Sequence, residues 1–259
     1  YVGVNLNAHF TDHINTTSFT EQYNAGSAAG LQQVRFDTER YTYGGGFSFG
    51  IGTIVKATEG LRIGLAYESP AWLRLKDEIT QSLSSYCADC DANGNDSFYV
   101  DPAVTMVTPD YKIQTPAKYT GSLAYVFGKS AILSVDYSFK DYSNAKFRSP
   151  GYSGINSQLN NDMGVAGEVR VGAEYRIKSF SLRGGFRYEE SPYKQNSEMG
   201  DLHGYSSGIG YAFPGSRLDL AYSWAKRNMY APPINAGITD PAFIKSIYNN
   251  VSLSYTIDL

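Results

Sequence analysis

Val165-Ala-Gly-Glu-Val-Arg-Val-Gly-Ala-Glu-Tyr-Arg-Ile177 reads with a period of two. In an extended chain Val165, Gly167, Val169, Val171, Ala173, Tyr175 and Ile177 share one side, and Ala166, Glu168, Arg170, Gly172, Glu174 and Arg176 share the other. One face is apolar and closes on an aromatic; the other is charged. After Lys178-Ser179 the pattern restarts, with Phe180, Leu182, Gly184, Phe186 and Tyr188 set against Ser181, Arg183, Gly185, Arg187 and Glu189. Two such strands joined by a short turn predict a β-hairpin.

The same period recurs outward in both directions. It appears in Leu61 to Glu68, Tyr119 to Phe127, Leu133 to Lys140, Tyr205 to Phe213, Leu218 to Trp224 and Val251 to Leu259. With Tyr1 to Phe10 and Tyr41 to Ile54, about ten strands of the length a tilted membrane strand needs are expected. Short connectors alternate with long ones. Lys56 to Gly60, Gly128 to Ser130, Lys178-Ser179 and Pro214 to Ser216 are tight, whereas Thr11 to Arg40, Ser69 to Lys118, Asp141 to Gly164, Ser191 to Leu202 and Lys226 to Lys245 read as long polar loops. Tight turns on one rim and long loops on the other are the habit of outer-membrane barrels. No period of 3.6 persists long enough to compete.

Composition excludes other classes. The 259 residues suit one large all-β domain spanning 1–259. The 22 Lys+Arg against 25 Asp+Glu leave a net charge of -3, with the basic residues dispersed, so nucleic acid is not an expected partner. Mean hydropathy is -0.32 and no apolar run approaches a membrane helix. Alternation, however, hides a barrel's apolar face from any hydropathy average. There is no initiator Met and no signal-like segment, so a processed or truncated chain is expected.

A soluble β-sandwich or lipocalin-like barrel alternates too, with its apolar face turned inward. Three features favour the membrane instead: aromatics at strand ends, alternating loop lengths, and glycines on the apolar face, where a packed core would want bulk.

Three stretches carry a family likeness. Leu61-Arg-Ile-Gly-Leu-Ala-Tyr-Glu-Ser-Pro70, Thr115-Pro-Ala-Lys-Tyr-Thr-Gly-Ser-Leu-Ala-Tyr125 and Ala131-Ile-Leu-Ser-Val-Asp-Tyr-Ser-Phe-Lys-Asp-Tyr-Ser-Asn-Ala-Lys-Phe147 resemble the FadL and TodX family of outer-membrane transporters for hydrophobic compounds. The resemblance runs from about Tyr41 to the C-terminus. It implies an antiparallel transmembrane β-barrel of fourteen strands, an N-terminal hatch, a hydrophobic ligand site inside and a side opening in the wall. The family's Asn-Pro-Ala hatch motif is absent, and the strands counted correspond to the later part of such a barrel. The hatch and first strands are therefore expected to be missing from this sequence. The last residue is Leu259, where such barrels commonly end on an aromatic.

Candidate sites follow from side-chain chemistry. Arg170, Arg183 and Arg187 on the charged face suit a carboxylate headgroup, since guanidinium binds carboxylate in a two-pronged manner. The competing expectation is that these bases pair with Glu168, Glu174, Glu189 and Asp219 on neighbouring strands. An apolar path needs small or apolar inner positions, which points to Ser206, Gly208, Gly210 and Ala212, or to the Trp72 region. Pro70 in Glu68-Ser-Pro-Ala-Trp72 removes a ladder donor, marking either a break in the wall or the end of a strand. Cys87 and Cys90 are expected to form a local disulfide in an oxidising compartment. Asp91, Asn93, Asn95 and Asp96 approach calcium-loop spacing without its closing Glu, so calcium is a candidate and no other cofactor is expected.

No nucleophile motif accompanies His203 and Asp201, the one acid–histidine pairing, and an enzyme is not expected. The function expected is passive uptake of hydrophobic small molecules such as long-chain fatty acids across the bacterial outer membrane, with membrane lipid and the hydrophobic ligand as partners. The rival reading is a FadL-type barrel acting as carrier or assembly partner in protein secretion, with a protein bound at the long loops.

Overall fold

The computed structural model describes residues 1–23, 30–88, 97–102, 104–195, 198–231 and 241–257. Among them the chain forms fifteen strands: β1 (Val2–Gln22), β2 (Gly30–Lys56), β3 (Leu61–Glu68), β4 (Trp72–Ala88), β5 (Ser97–Val100), β6 (Thr105–Val107), β7 (Tyr111–Gln114), β8 (Lys118–Phe127), β9 (Ala131–Asp141), β10 (Lys146–Phe147), β11 (Val165–Ile177), β12 (Phe180–Glu189), β13 (Met199–Phe213), β14 (Ser216–Ala231) and β15 (Ala242–Ile257). A polar helix, α1 (Ser153–Asp162), has no buried residue. The fold is all-β and antiparallel, of the outer-membrane barrel type.

The chain divides into two compact units. The first holds residues 1–7, 48–71 and 114–259. Here the end of β2 pairs with β3, and β3, β8, β9, β11, β12, β13, β14 and β15 follow in sequence order, each antiparallel to the next. These are the strands whose pattern reads as membrane-crossing. Their turns are tight: Gly128 and Gly215 take φ of 56° and 76°, left-handed values that cost a glycine nothing, while Lys178 takes 54°.

Register keeps the two faces apart across the whole run. Val169 lies opposite Tyr137 and Tyr188, and Arg170 opposite Asp136 and Arg187. Exposure then decides between membrane and soluble readings. Among the described residues only Leu75 and Ala166 are buried apolar side chains, whereas Leu65 is 62% exposed and Leu253 70%. On the charged face Glu168 and Ser138 are buried. A soluble sandwich would bury the face exposed here, so this face meets lipid. Aromatics band both ends of it: Tyr125 with Phe127 (4.6 Å) and Phe180 with Tyr211 (4.8 Å) near the turns, Tyr67 with Tyr119 (5.2 Å) and Tyr119 with Phe139 (5.1 Å) at the far end.

The break at Pro70 is held together. Ser69 N donates to Phe49 O (2.8 Å) and Phe49 N to Ser69 Oγ (2.9 Å). Ala71 N donates to Thr115 Oγ1 (2.8 Å), and Thr115 N to Ala71 O (3.1 Å). The ladder bonds that proline interrupts are thus replaced by side-chain and backbone bonds to both neighbours.

The second unit, residues 8–47 and 72–113, corrects two expectations. Thr11 to Arg40 and Ser69 to Lys118 were expected as loops, yet β1 continues to Gln22, β2 begins at Gly30, and β4 pairs with β2 from Ala88 opposite Gly30 to Trp72 opposite Phe47. Strands accordingly exceed the ten or so expected. Thr- and Ser-rich segments such as Thr16-Thr17-Ser18 and Thr80-Gln-Ser82 have strand propensity without apolar alternation, so a test for period two passes over them. Polar cross-links tie this ribbon: Thr42 Oγ1 to Asp77 (2.7 Å), Tyr43 OH to Glu78 (2.8 Å) and Arg74 to Asp110 (2.7 Å).

Candidate functional site

On the charged face of the first unit, strand register gathers the ionic side chains into two belts. The belt nearer the tight turns runs from β11 to β14. Arg176 pairs with Glu174, Arg183 Nε reaches Glu174 Oε2 (2.8 Å) and its Nη1 reaches Asp219 Oδ1 (2.8 Å), and Arg217 Nε meets Asp219 Oδ2 (2.9 Å). Glu174 stands directly opposite Arg183, so the cross-strand position makes the bond.

The second belt lies nearer the long connectors. Glu168 is its hub, meeting Arg170 Nη2 (2.6 Å), Arg187 Nε (2.7 Å) and Lys118 Nζ (3.7 Å). Glu189 meets Arg187 Nη2 (2.6 Å) and Arg227 Nη2 (3.1 Å). Glu168 faces Glu189, and Arg170 faces Arg187, in direct register. Like charges so placed repel, and the diagonal pairing of each carboxylate with two guanidiniums offsets that. Beyond the end of β9, burial and the nearby Glu189 carboxylate raise the Tyr142 hydroxyl above its ordinary range.

Between the belts runs a row without charge. Ala124 lies opposite Ser134, Ser134 opposite Gly172, Gly172 opposite Gly185, Gly185 opposite Ser206, and Ser206 opposite Ser223. A cavity of about 530 Å³ opens over this row, lined by Ser134, Gly172, Gly185, Gly204, Ser206 and Ser223, with Arg183 and Arg187 at its two margins. This arrangement offers an uncharged furrow with charged edges, where Arg183 and Arg187 are engaged by carboxylates while Asp136, which also lines it, has no ion pair among the described residues.

The expected site residues are therefore only partly brought together. Arg183 and Arg187 border the cavity, but each guanidinium is engaged by two carboxylates of the chain. Gly210 is no part of an open path. A Cβ placed there would stand 2.2 Å from Asp219 Oδ1 and 3.2 Å from Arg217 Nη2, so the turn-side belt fills its space. Gly208 does not line the cavity; its own Cβ would stand 3.3 Å from Leu220 O. Trp72 belongs to the second unit, where its ring packs 5.0 Å from Phe47. Asp201 accepts from Tyr188 OH (2.7 Å) and Ser191 N (2.8 Å), while His203 lies against the Tyr188 ring.

Cys87 is disulfide-bonded, and Cys90, the other cysteine of the sequence, lies outside the described residues. So do Asp91, Asn93, Asn95 and Asp96. Ser134, Gly172, Gly185, Gly204 and Ser223 were missed as a group. Each is unremarkable in its own strand, and their alignment exists only in the register.

An antiparallel sheet with a lipid-exposed apolar face, aromatic bands and an ion-paired inner face defines an outer-membrane β-barrel. No described helix is long and apolar enough to cross a membrane. Residues 3–233 match the family of outer membrane protein transport proteins described as OMPP1/FadL/TodX. The chain belongs to that family, whose members are outer-membrane transport proteins for hydrophobic compounds. It is accordingly a protein of the bacterial outer membrane. Its fold is similar to that of the CymD monoaromatic hydrocarbon channel (15% identity, TM-score 0.56), covering all of this chain and 69% of that one. The Ralstonia pickettii toluene transporter TbuX is similar at 18% identity and TM-score 0.56, over all of this chain and 63% of its own. For the Pseudomonas putida toluene transporter TodX the figures are 14%, 0.51, all of this chain and 78% of that one. A search of curated protein sequences found no match.

Proposed function

We propose that the protein takes part in passive uptake of hydrophobic small molecules across the outer membrane, along the neutral furrow between the two charge belts. The furrow is the observation that carries this reading. The Arg183 and Arg187 guanidiniums at its edges are each engaged by two carboxylates, and the row between them carries only Ala, Gly and Ser, with no charge to repel a neutral molecule. Long-chain fatty acids were the first class expected. A compact hydrocarbon of the kind CymD, TbuX and TodX are named for fits the furrow better. An extended acyl chain needs a continuous apolar lining to gain about 0.8 kcal/mol for each CH₂ it buries, whereas the row along the furrow is built of Ala, Gly and Ser and a compact molecule needs only a short stretch of it.

The test is uptake of labelled toluene and of a labelled long-chain fatty acid by cells that lack their own transporter and express the full-length protein. Gly172→Phe, which fills the furrow beside Ser134, is expected to abolish uptake. Parent protein no better than empty cells rejects transport of this class. An indifferent Gly172→Phe variant removes the furrow as the path.

A further inference from the structure

The lipid-facing side of the first unit carries a second concavity, a groove of about 760 Å³. It centres on Gly121 of β8, which register places opposite Leu65 on β3 and Tyr137 on β9. A Cβ added to Gly121 would meet nothing within 4 Å. One absent side chain in a face of large ones therefore makes a notch. Ile51, Leu65, Tyr119, Tyr137 and Phe139 wall it, and the groove reaches from β1 to β9 across the strands. At a spacing of about 4.8 Å between strands, that is an elongated slot on the order of 20 Å long and one side chain wide.

Its far wall is the aromatic ladder Tyr67–Tyr119–Phe139, with centroids 5.2 and 5.1 Å apart. The hydroxyls of Tyr67 and Tyr119 have no hydrogen-bond partner among the described residues, while the Tyr137 ring lies over Gly167 of β11. An apolar slot with hydroxyl donors at one edge has the polarity of an amphiphile lying with its head at the aromatic band and its chain below it. The face looks into the bilayer, so water does not fill the slot, and a void there would forfeit the packing of every atom lining it.

We propose that this groove holds one acyl chain of an outer-membrane lipid, whose head-end oxygens accept hydrogen bonds from the Tyr67 and Tyr119 hydroxyls. Bilayer hydrocarbon is as apolar as the groove, so retention comes from shape and from those hydroxyls rather than from exclusion of water. A long, narrow slot selects an extended chain over a compact molecule. The site is on the opposite side of the sheet from the furrow, and its test does not read transport.

The full-length protein, extracted from outer membranes in mild detergent and washed, is expected to keep about one lipid per chain in native mass spectrometry, as a shape-matched slot should. Gly121→Leu fills the notch and is expected to lower that occupancy about tenfold, the loss a filled cavity implies. Gly184→Leu is the control, an outward glycine on β12 that also has nothing within 4 Å of its Cβ position and does not line this groove. It is expected to keep the lipid. Tyr67→Phe combined with Tyr119→Phe adds no bulk and is expected to weaken retention through the hydroxyls alone, which keeps the proposal testable if Gly121→Leu does not fold. No lipid on the parent protein, equal loss in the two leucine variants, or a dimer that Gly121→Leu dissolves in place of a lipid would each overturn the proposal.

Discussion

Replacing Glu168 by Gln tests whether the belts are held by charge. The carboxylate is buried, with 11% of its side chain exposed, and it meets Arg170 at 2.6 Å, Arg187 at 2.7 Å and Lys118 at 3.7 Å. At an effective dielectric of about 20, one such contact is a gross attraction of about 4 kcal/mol. Most of that is lost to desolvation and to solvent screening, because Arg170 and Arg187 remain 49% and 44% exposed. A net loss of about 1–3 kcal/mol is expected, since the three cations are left facing one another around an uncharged amide. Arg176→Gln supplies the comparison: its side chain is 57% exposed and bonds to Glu174 alone, so it is expected to cost less than about 0.5 kcal/mol. The assay is urea unfolding of the full-length protein in lipid vesicles, followed by tryptophan fluorescence and by the mobility of the unheated band on gels. If Glu168→Gln costs no more than Arg176→Gln, the belts are not electrostatic struts and the argument fails.

Other outcomes follow from separate parts of the structure. Cys87 and Cys90 are expected to be joined to each other, so mass spectrometry of unreduced protein should find no free thiol; two free thiols would reject it. Asp37, in the second unit, is held below its ordinary carboxylate range by hydrogen bonds from Ser18 and Arg35. Its stabilising contribution is therefore present above the unfolded value and is lost as pH falls through the lower folded value. Protease resistance of the β2–β4 ribbon should drop below about pH 4, and Asp37→Asn should flatten that drop; an unaltered profile in the variant refutes it. Label applied to intact cells should reach Ser191 to Leu202 and not Lys178-Ser179, because tight turns belong to the periplasmic rim, and the reverse pattern would invert the topology.

What could be read from the residues alone was whatever depends on neighbours in sequence. Val165 to Glu189 announced a hairpin with one apolar and one charged face, and the same alternation in β3, β8, β9, β13, β14 and β15 was legible because side-chain direction along a strand is fixed by the backbone. Tight turns at Gly128 and Gly215 were legible for the same local reason. The polar ribbon of β2 and β4 was not, since Thr and Ser pair along it without leaving an apolar stripe to detect. The pairing of Arg183 with Asp219 spans 36 positions, and the furrow is assembled from single residues on separate strands. The open space expected at Gly210 failed on the same ground, because the side chains that occupy it belong to the neighbouring strand β14. The sequence by itself determined the two faces of each strand and hence the membrane, and at tight turns such as Lys178-Ser179 the register as well; which inner residues stand side by side across strands joined by long connectors was decided only by the tertiary structure, because no turn there sets the register within the sequence.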